Sequence, residues 1–293
     1  MPRLLCATDL LPKTEAAIDR AGLLAEQLQA QLSLMHVVSP VASELNLEQA
    51  LQHAITGLNA RARPPSWRAG PTPEVVVRTG NPARLIIDSI DKHRVDLLIM
   101  GPHRKRGMRD VLEGTMAEKI LNTRQCPLLI VQQPAAAEYR QVLLALDVAE
   151  ESGAAVRAAE TLVLNPRAQA MVMHVCEPPY QGMLRSAGVG TQEIISYVNE
   201  SRREAAGEIR DLLRRSSADH TRYGVVIGES HPARAIRRAV EMYQPDLLVM
   251  GTSGGRVRRA LIGSVASQVM DAAGCDVLVV PRGSMPVRPA GLH

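Results

Sequence analysis

The chain carries one strand–loop–helix segment twice, and that repetition limits its fold more than any other feature. Residues 95–131 read VDLLIMGPHRKRGMRDVLEGTMAEKILNTRQCPLLIV, and residues 245–280 read PDLLVMGTSGGRVRRALIGSVASQVMDAAGCDVLVV. In each copy an apolar run ends in glycine and enters a basic, glycine-bearing loop. A second glycine and a hydroxyl residue then open a helix, and a cysteine leads into another apolar run. Small residues with N–H donors at a helix start suit an anion such as phosphate.

The repeat extends well beyond this segment. LLCATD at 4–9 matches VLLALD at 142–147, and SLMHV at 33–37 matches MVMHV at 171–175, both at an offset of 138. GNPARLI from Gly80 matches GESHPARAI from Gly228, and Asp96 matches Asp246 at an offset of 150. The offset grows mostly after strand 2, where the second half carries the longer stretch EPPYQGMLRSAGVG. Gly114 matches Gly263 at an offset of 149, so the second half lacks one residue in its basic loop. The seam falls near QQPAAAEYR, dividing the chain into domains 1–137 and 138–293. A period this long predicts tandem domains, not a short-repeat solenoid.

Within each half, short apolar runs alternate with amphipathic stretches. Strands are expected near 3–8, 31–38, 73–78, 96–100 and 127–132, with helices near 12–29, 43–61, 82–93 and 114–123. In the second half, strands are expected near 140–146, 169–175, 222–227, 246–250 and 276–281, with helices near 151–163, 191–215, 232–243 and 264–273. Pro12 and Pro82 suit a first helical turn, and Asn81 is a good N-cap. Runs such as DLLIM and DLLVM are apolar on both faces, as buried parallel strands are. Such alternation predicts an α/β fold: two tandem, doubly wound, open parallel five-stranded sheets. The last strand of each half, PLLIVQQ and DVLVVPR, is a short apolar edge that invites pairing.

Composition narrows the function classes. Aromatic residues make up 2% of the chain and phenylalanine is absent, which argues against the stacking platforms of single-strand nucleic acid binders. No helix carries a basic stripe. The net charge of +4 is mild, but cations cluster at Arg104, Lys105, Arg106 and Arg109, and again at Arg256, Arg258 and Arg259. The four cysteines show no zinc spacing. Cys126 and Cys275 hold the same place in each half and read as small buried residues. The start MPRLLCATDLLPK has no signal-peptide core and no apolar run is long enough to span a bilayer, so a cytoplasmic location without membrane attachment is expected.

In open α/β sheets ligands bind beyond the C-terminal strand ends, where the strand order reverses. Asp9 and Asp147 end strand 1, Val37 and Val175 end strand 2, and Gly101 and Gly251 end strand 4. Gly114-Thr115 and Gly263-Ser264 open the following helix. Each of these residues taken singly also has a plain structural use, in a turn or as a cap. Jointly, at one rim and in duplicate, they favour a site. His36 and His174, at the end of strand 2, are expected to bond to backbone within the fold. The P-loop pattern GxxxxGK[ST] and the dinucleotide pattern GxGxxG are both missing.

These residues resemble the universal stress protein family in its tandem form, nearly end to end. Nucleotide-binding members carry G-x2-G-x9-G-[ST] after strand 4 and an Asp at the end of strand 1. The second half has Gly251-x2-Gly254-x8-Gly263-Ser264, one residue short in the spacer. The first half has Gly101-x2-Arg104-x9-Gly114-Thr115, with an arginine at the second glycine position. The resemblance implies an adenine-nucleotide alpha hydrolase-like fold whose two halves form an intrachain pseudo-dimer. It also implies an ATP site, with Mg²⁺ arriving on the nucleotide, in the second half in preference to the first. That site would comprise Asp147, Val175, Gly251, Ser253, Gly254, Gly263, Ser264 and Val265. The matching first-half positions are Asp9, Val37, Gly101, His103, Arg104, Gly114, Thr115 and Met116.

The expected activity is ATP or related nucleotide binding without rapid turnover, in a sensor or regulator of stress responses acting on protein partners. No catalytic base, Walker-type lysine or metal-carboxylate cluster is apparent in the sequence, so an enzyme is not expected. Two alternatives stay open. One is a scaffold that binds no nucleotide and acts through protein contacts. The other is a slow ATPase or autokinase labelling Ser264 or Thr115. Association of two chains is also left open.

Overall fold

The computed structural model describes residues 1–39, 44–62, 72–102, 115–123, 126–135, 137–148, 152–162, 168–176, 178, 180–217, 223–228, 231–252, 264–270 and 273–281. First-half strands are β1 (Arg3–Ala7), β2 (Gln31–Val38), β3 (Glu74–Thr79), β4 (Leu97–Met100) and β5 (Leu128–Ile130). Helices α1 (Glu15–Gln27), α2 (Glu44–Arg61), α3 (Pro82–His93) and α4 (Met116–Leu121) lie between them. The second half gives β6 (Gln141–Ala145), β7 (Gln169–Val175), β8 (Tyr223–Gly228), β9 (Leu247–Gly251) and β10 (Asp276–Val280). Its helices are α5 (Ser152–Leu162), α6 (Gln181–Ser186), α7 (Thr191–Ser216), α8 (Pro232–Tyr243) and α9 (Ser264–Met270).

The ten strands form one sheet in the order β3-β2-β1-β4-β5-β10-β9-β6-β7-β8. Every neighbour pair is parallel except β5 with β10, which run antiparallel with Leu129 opposite Leu278. The two apolar edges expected from the sequence therefore pair with each other inside one chain. In each half the chain winds out through three strands and returns beside the first. The order thus reverses between β1 and β4, and again between β6 and β9.

Alternation along the strands splits the core into two layers. Leu4, Cys6, Leu97 and Ile99 face one layer with α1, and Val142, Leu144, Leu247 and Val249 continue it under α5 and α7. Leu5, Ala7, Leu98 and Met100 face the other, where residues of α3, α4, α8 and α9 cover the sheet. Helices on both faces make the sheet doubly wound, as the unbroken apolar runs predict.

Differences from the expected elements are local. Pro12 does not open an α-helix; it begins a 3-10 turn at Pro12–Thr14, with Thr14 N–H donating to Leu11 O at 2.9 Å, and α1 starts at Glu15. Asn81 caps α3 as expected, its side chain accepting from Arg84 N–H at 3.1 Å. The second-half insertion adds α6, a short helix with no buried residue. Asp96 precedes β4 and accepts the Arg3 N–H at 2.8 Å. Its counterpart Asp246 accepts from Arg140 and Gln141 N–H at 2.6 and 3.1 Å, so each half ties the start of its first strand in the same way.

A buried polar cluster locks the halves together. Asp276 opens β10 and is fully buried. Its Oδ1 accepts the backbone N–H groups of Gln132 and Gln133 at 2.8 and 3.1 Å. Its Oδ2 accepts the Tyr139 hydroxyl at 2.7 Å and lies 3.3 Å from Arg20 Nε on α1. The Arg20 guanidinium stacks 4.0 Å above the Tyr139 ring and donates to Ala137 O at 2.7 Å. Burial, then the Asp276 charge, holds the Tyr139 hydroxyl well above its ordinary value, so it remains a donor.

Burial also pushes the thiols of Cys6, Cys126 and Cys275 up from 9.0 to about 12. The folded chain keeps these protons at a pH where an unfolded thiol has released its own. Their contribution to stability is therefore full below pH 9.0 and lost as pH rises through about 12. Urea midpoints should be flat between pH 7 and 8.5 and decline steadily at higher pH. Of the four thiols, half-buried Cys176 should react first with a small disulfide reagent at neutral pH.

Candidate functional site

At the reversal point of the second half, a cleft of about 640 Å³ opens over the C-terminal ends of β6, β7 and β9. The volume falls within the ordinary range of small-ligand sites. Four of the sequence-predicted residues line it: Asp147, Val175, Gly251 and Val265. Its floor is apolar, with Ala145, Leu146, Met173 and Met250 from the strand ends. One side is closed by α7, and the other by Pro232 and Ile236 of α8 with Val265 and Ala266 of α9. An apolar cleft with polar groups at its rim suits a heterocycle carrying a polar appendage.

Asp147 sits at the rim because β6 ends beneath it. Its Oδ1 accepts the Val148 N–H at 2.8 Å, and among the described residues Oδ2 has no partner. An acceptor held in place on one oxygen, with no partner among the described residues on the other, fits a ligand hydroxyl or amine. His174 also lines the cleft, with its Nδ1 2.9 Å from Leu146 O. His36 repeats the arrangement at 2.8 Å from Thr8 O. A carbonyl can only accept, so Nδ1 carries the proton in both rings. The expected backbone role of these histidines is what the structure shows.

The first half uses the matching residues differently. The Asp9 carboxylate accepts the Leu11 N–H at 3.1 Å and the Thr14 hydroxyl at 2.9 Å, with Lys13 Nζ 3.8 Å away. Thr14 also presses on the end of β4: a Cβ built on Gly101 would meet its Cγ2 at 2.6 Å and its Cα at 3.1 Å. Gly101 is thus small to admit the chain's own turn. Substituting Gly101→Ala should cost about 1–3 kcal/mol through overpacking, read as a lower urea midpoint.

At the start of α4, Thr115 and Glu118 form a capping box. The Thr115 hydroxyl accepts the Glu118 N–H at 3.2 Å, and Glu118 Oε2 accepts the Thr115 N–H at 2.7 Å. Glu118 Oε1 accepts the Ser267 hydroxyl of α9 at 2.6 Å. The first half therefore supplies its own carboxylate to the helix start that the sequence offered to phosphate. The second half has Ser267 at the position matching Glu118, and serine brings no such charge. Val37 and Met116 are partly buried against the core layer of α3 and α4. His103, Arg104, Gly114, Ser253, Gly254 and Gly263 lie outside the described residues, and for Ser264 only the backbone at the start of α9 is described.

Several lining residues were missed by sequence reasoning. Tyr197, Ser201, Glu204 and Glu208 come from α7, and Cys176 from the end of β7. Their spacing along α7 marks one helical stripe, a pattern that a solvated helix face shares.

The sequence model of the universal stress protein family matches residues 1–132 and again 138–281. The chain belongs to the universal stress protein family. Universal stress protein A homolog 1 of Coxiella burnetii is 32% identical over 142 residues, covering 44% of this chain and 94% of its own length. A universal stress protein from Archaeoglobus fulgidus DSM 4304 superposes over 96% of this chain and 98% of its own, with a TM-score of 0.63 at 16% identity. That likeness is one of fold, and it spans both halves. Another solved universal stress protein, in complex with cAMP, matches 50% of this chain with a TM-score of 0.34 and 22% identity. Among the described residues no helix is long and apolar enough to cross a membrane, and no group of three metal-binding side chains gathers.

Proposed function

We propose that this universal stress protein binds one adenine nucleotide, ATP above all, in the cleft of its second half and holds it without rapid turnover. Occupancy then reports nucleotide supply to protein partners in the stress response. The observation that carries this reading is the cleft itself: about 640 Å³, apolar beneath, with Asp147, Val175, Gly251 and Val265 converging on it. Val175 and the strand ends supply a slot for the base. Asp147 Oδ2, without a partner among the described residues, meets a hydroxyl or amine of the nucleoside. The end of β9 at Gly251 and Thr252 leads toward the basic, glycine-bearing loop, where the triphosphate and its Mg²⁺ would lie. The first half serves as the structural partner, since Asp9, Gly101 and Thr115 are engaged by the chain's own groups.

The test is calorimetric titration of the full chain with ATP and with AMP, beside mass spectrometry of gently purified protein. One adenine nucleotide per chain supports the reading. No heat from either ligand on well-folded protein refutes it and leaves a scaffold that works through protein contacts. Phosphate release measured alongside should stay near the uncatalysed background.

A further inference from the structure

The ladder between β6 and β7 stops one step before β7 does. Its last pair is Ala145 with Met173, and β7 continues to Val175. Peptide groups along a strand point alternately to its two neighbours. The Met173 carbonyl turns to the β6 side and accepts the Leu146 N–H at 2.9 Å, while the Cys176 N–H turns to the β8 side and donates to Gly228 O at 3.2 Å. Val175, two residues beyond Met173, therefore turns its N–H and its carbonyl to the β6 side. A ladder carried further would pair that N–H with Leu146 O and that carbonyl with the Val148 N–H. Two side chains take these partners instead. His174 Nδ1 donates to Leu146 O at 2.9 Å, and Asp147 Oδ1 accepts the Val148 N–H at 2.8 Å. Among the described residues the Val175 N–H and carbonyl have no hydrogen-bond partner on the β6 side. Leu146, Asp147, Val148, His174 and Val175 all line the cleft. The first half repeats the arrangement: Thr8 N–H donates to Met35 O at 3.0 Å, and the His36 ring takes Thr8 O at 2.8 Å.

An unpaired N–H or carbonyl at a partly covered strand end is costly, so the backbone by itself favours closing the ladder. His174 is 8% exposed and occupies the carbonyl that Val175 would otherwise claim. Resting on the nucleotide reading above, we propose that His174 is a positioning residue, a ladder stop that keeps the N–H and carbonyl of Val175 free for the base. The freed pair is a donor beside an acceptor. It fits a heterocycle with a ring acceptor beside an amine, as adenine has. Recognition on this side of the cleft then belongs to backbone, and the imidazole acts by holding the strand end open.

Hydrogen exchange and calorimetry on the full chain test this with the wild type, His174→Phe and His174→Asn. Without ligand, the wild-type Val175 amide should exchange faster than amides inside the β6–β7 ladder, and ATP should slow it. Phenylalanine fills the place of the ring without a donor, which releases Leu146 O to Val175. In His174→Phe that amide should exchange slowly without ligand, the urea midpoint should hold, and ATP affinity should fall at least about tenfold, equivalent to ~1.4 kcal/mol. Asparagine sets an amide N–H in the place of Nδ1, so His174→Asn should restore fast exchange and keep ATP affinity within about threefold of wild type. A histidine that only stabilises the fold predicts the reverse, a lower urea midpoint in His174→Phe with ATP affinity unchanged. That result would overturn the ladder stop and leave the nucleotide reading standing. So would a Val175 amide already slow in the unliganded wild type, a measurement that needs no variant to fold. A wild type that binds no ATP would overturn both.

Discussion

Replacing Asp276 by alanine should destabilise the chain by about 3–5 kcal/mol, the usual cost of removing one partner from a buried ion pair. Asp276 accepts three hydrogen bonds, from two backbone N–H groups and the Tyr139 hydroxyl, and pairs its charge with the Arg20 guanidinium 3.3 Å away. Alanine would leave the Arg20 charge buried without its anion and orphan three further donors at the seam between halves. Asp276→Asn preserves shape and one acceptor oxygen, so its loss should be smaller, but Arg20 would still lack a counter-charge. Arg20→Met is a useful contrast. It removes the cation while Asp276 keeps its three hydrogen bonds, and the Tyr139 ring keeps an apolar neighbour. The order of urea midpoints should be wild type, Arg20→Met, Asp276→Asn, Asp276→Ala. If Asp276→Ala matched the wild type, the cluster would not be what holds β5 against β10.

That cluster also shows where the sequence stops being informative. Arg20, Tyr139 and Asp276 come from a helix, the inter-half connection and a strand start. Nothing in their spacing marks them as partners. The position matching Asp276 in the first half is Pro127, and Arg20 matches Ala158, so the repeat conceals the pair instead of exposing it. The strands were legible for the opposite reason. Each apolar run occurs twice in the same order, and DLLIM and DLLVM are apolar on both faces, which fixes them as central parallel strands. The edges PLLIV and DVLVV read as surfaces that invite pairing, and their pairing with each other inside one chain is what the family resemblance implied. Helix α6 was not legible, because six mostly polar residues without a buried face carry no periodic signal. The turn at Pro12 was misread as helix because proline is equally at home at the first position of either element.

The candidate site divides along the same line. Residues whose position is set by a strand end, such as Asp147, Val175 and Gly251, could be placed from the repeat alone. Their use could not, since Asp9 and Gly101 occupy matching positions and serve a local turn. What separates the halves is chemistry a few residues away: Glu118 caps its own helix where the second half has Ser267. The α7 wall was hidden because glutamates on an exposed helix usually face solvent, and only the path of the helix across the sheet edge makes them a wall.

The sharpest functional consequence concerns the two aspartates. Asp147→Ala should weaken nucleotide binding by roughly 10- to 100-fold, since a hydrogen bond to a charged group contributes about 1.5–3 kcal/mol. Asp9→Ala should leave binding within about twofold, because its Oδ1 holds Leu11 and Thr14 and its Oδ2 faces Lys13 at 3.8 Å. Asp9→Ala should instead lower stability by about 1 kcal/mol through loss of the turn that seats α1. The two variants therefore exchange signatures, affinity for one and stability for the other. Calorimetry and urea denaturation on the same preparations separate them. A loss of binding in Asp9→Ala equal to that in Asp147→Ala would place a working site in the first half. In that case the contacts of Thr14 and Glu118 would have to yield to the ligand, and two nucleotides per chain would be found at saturation.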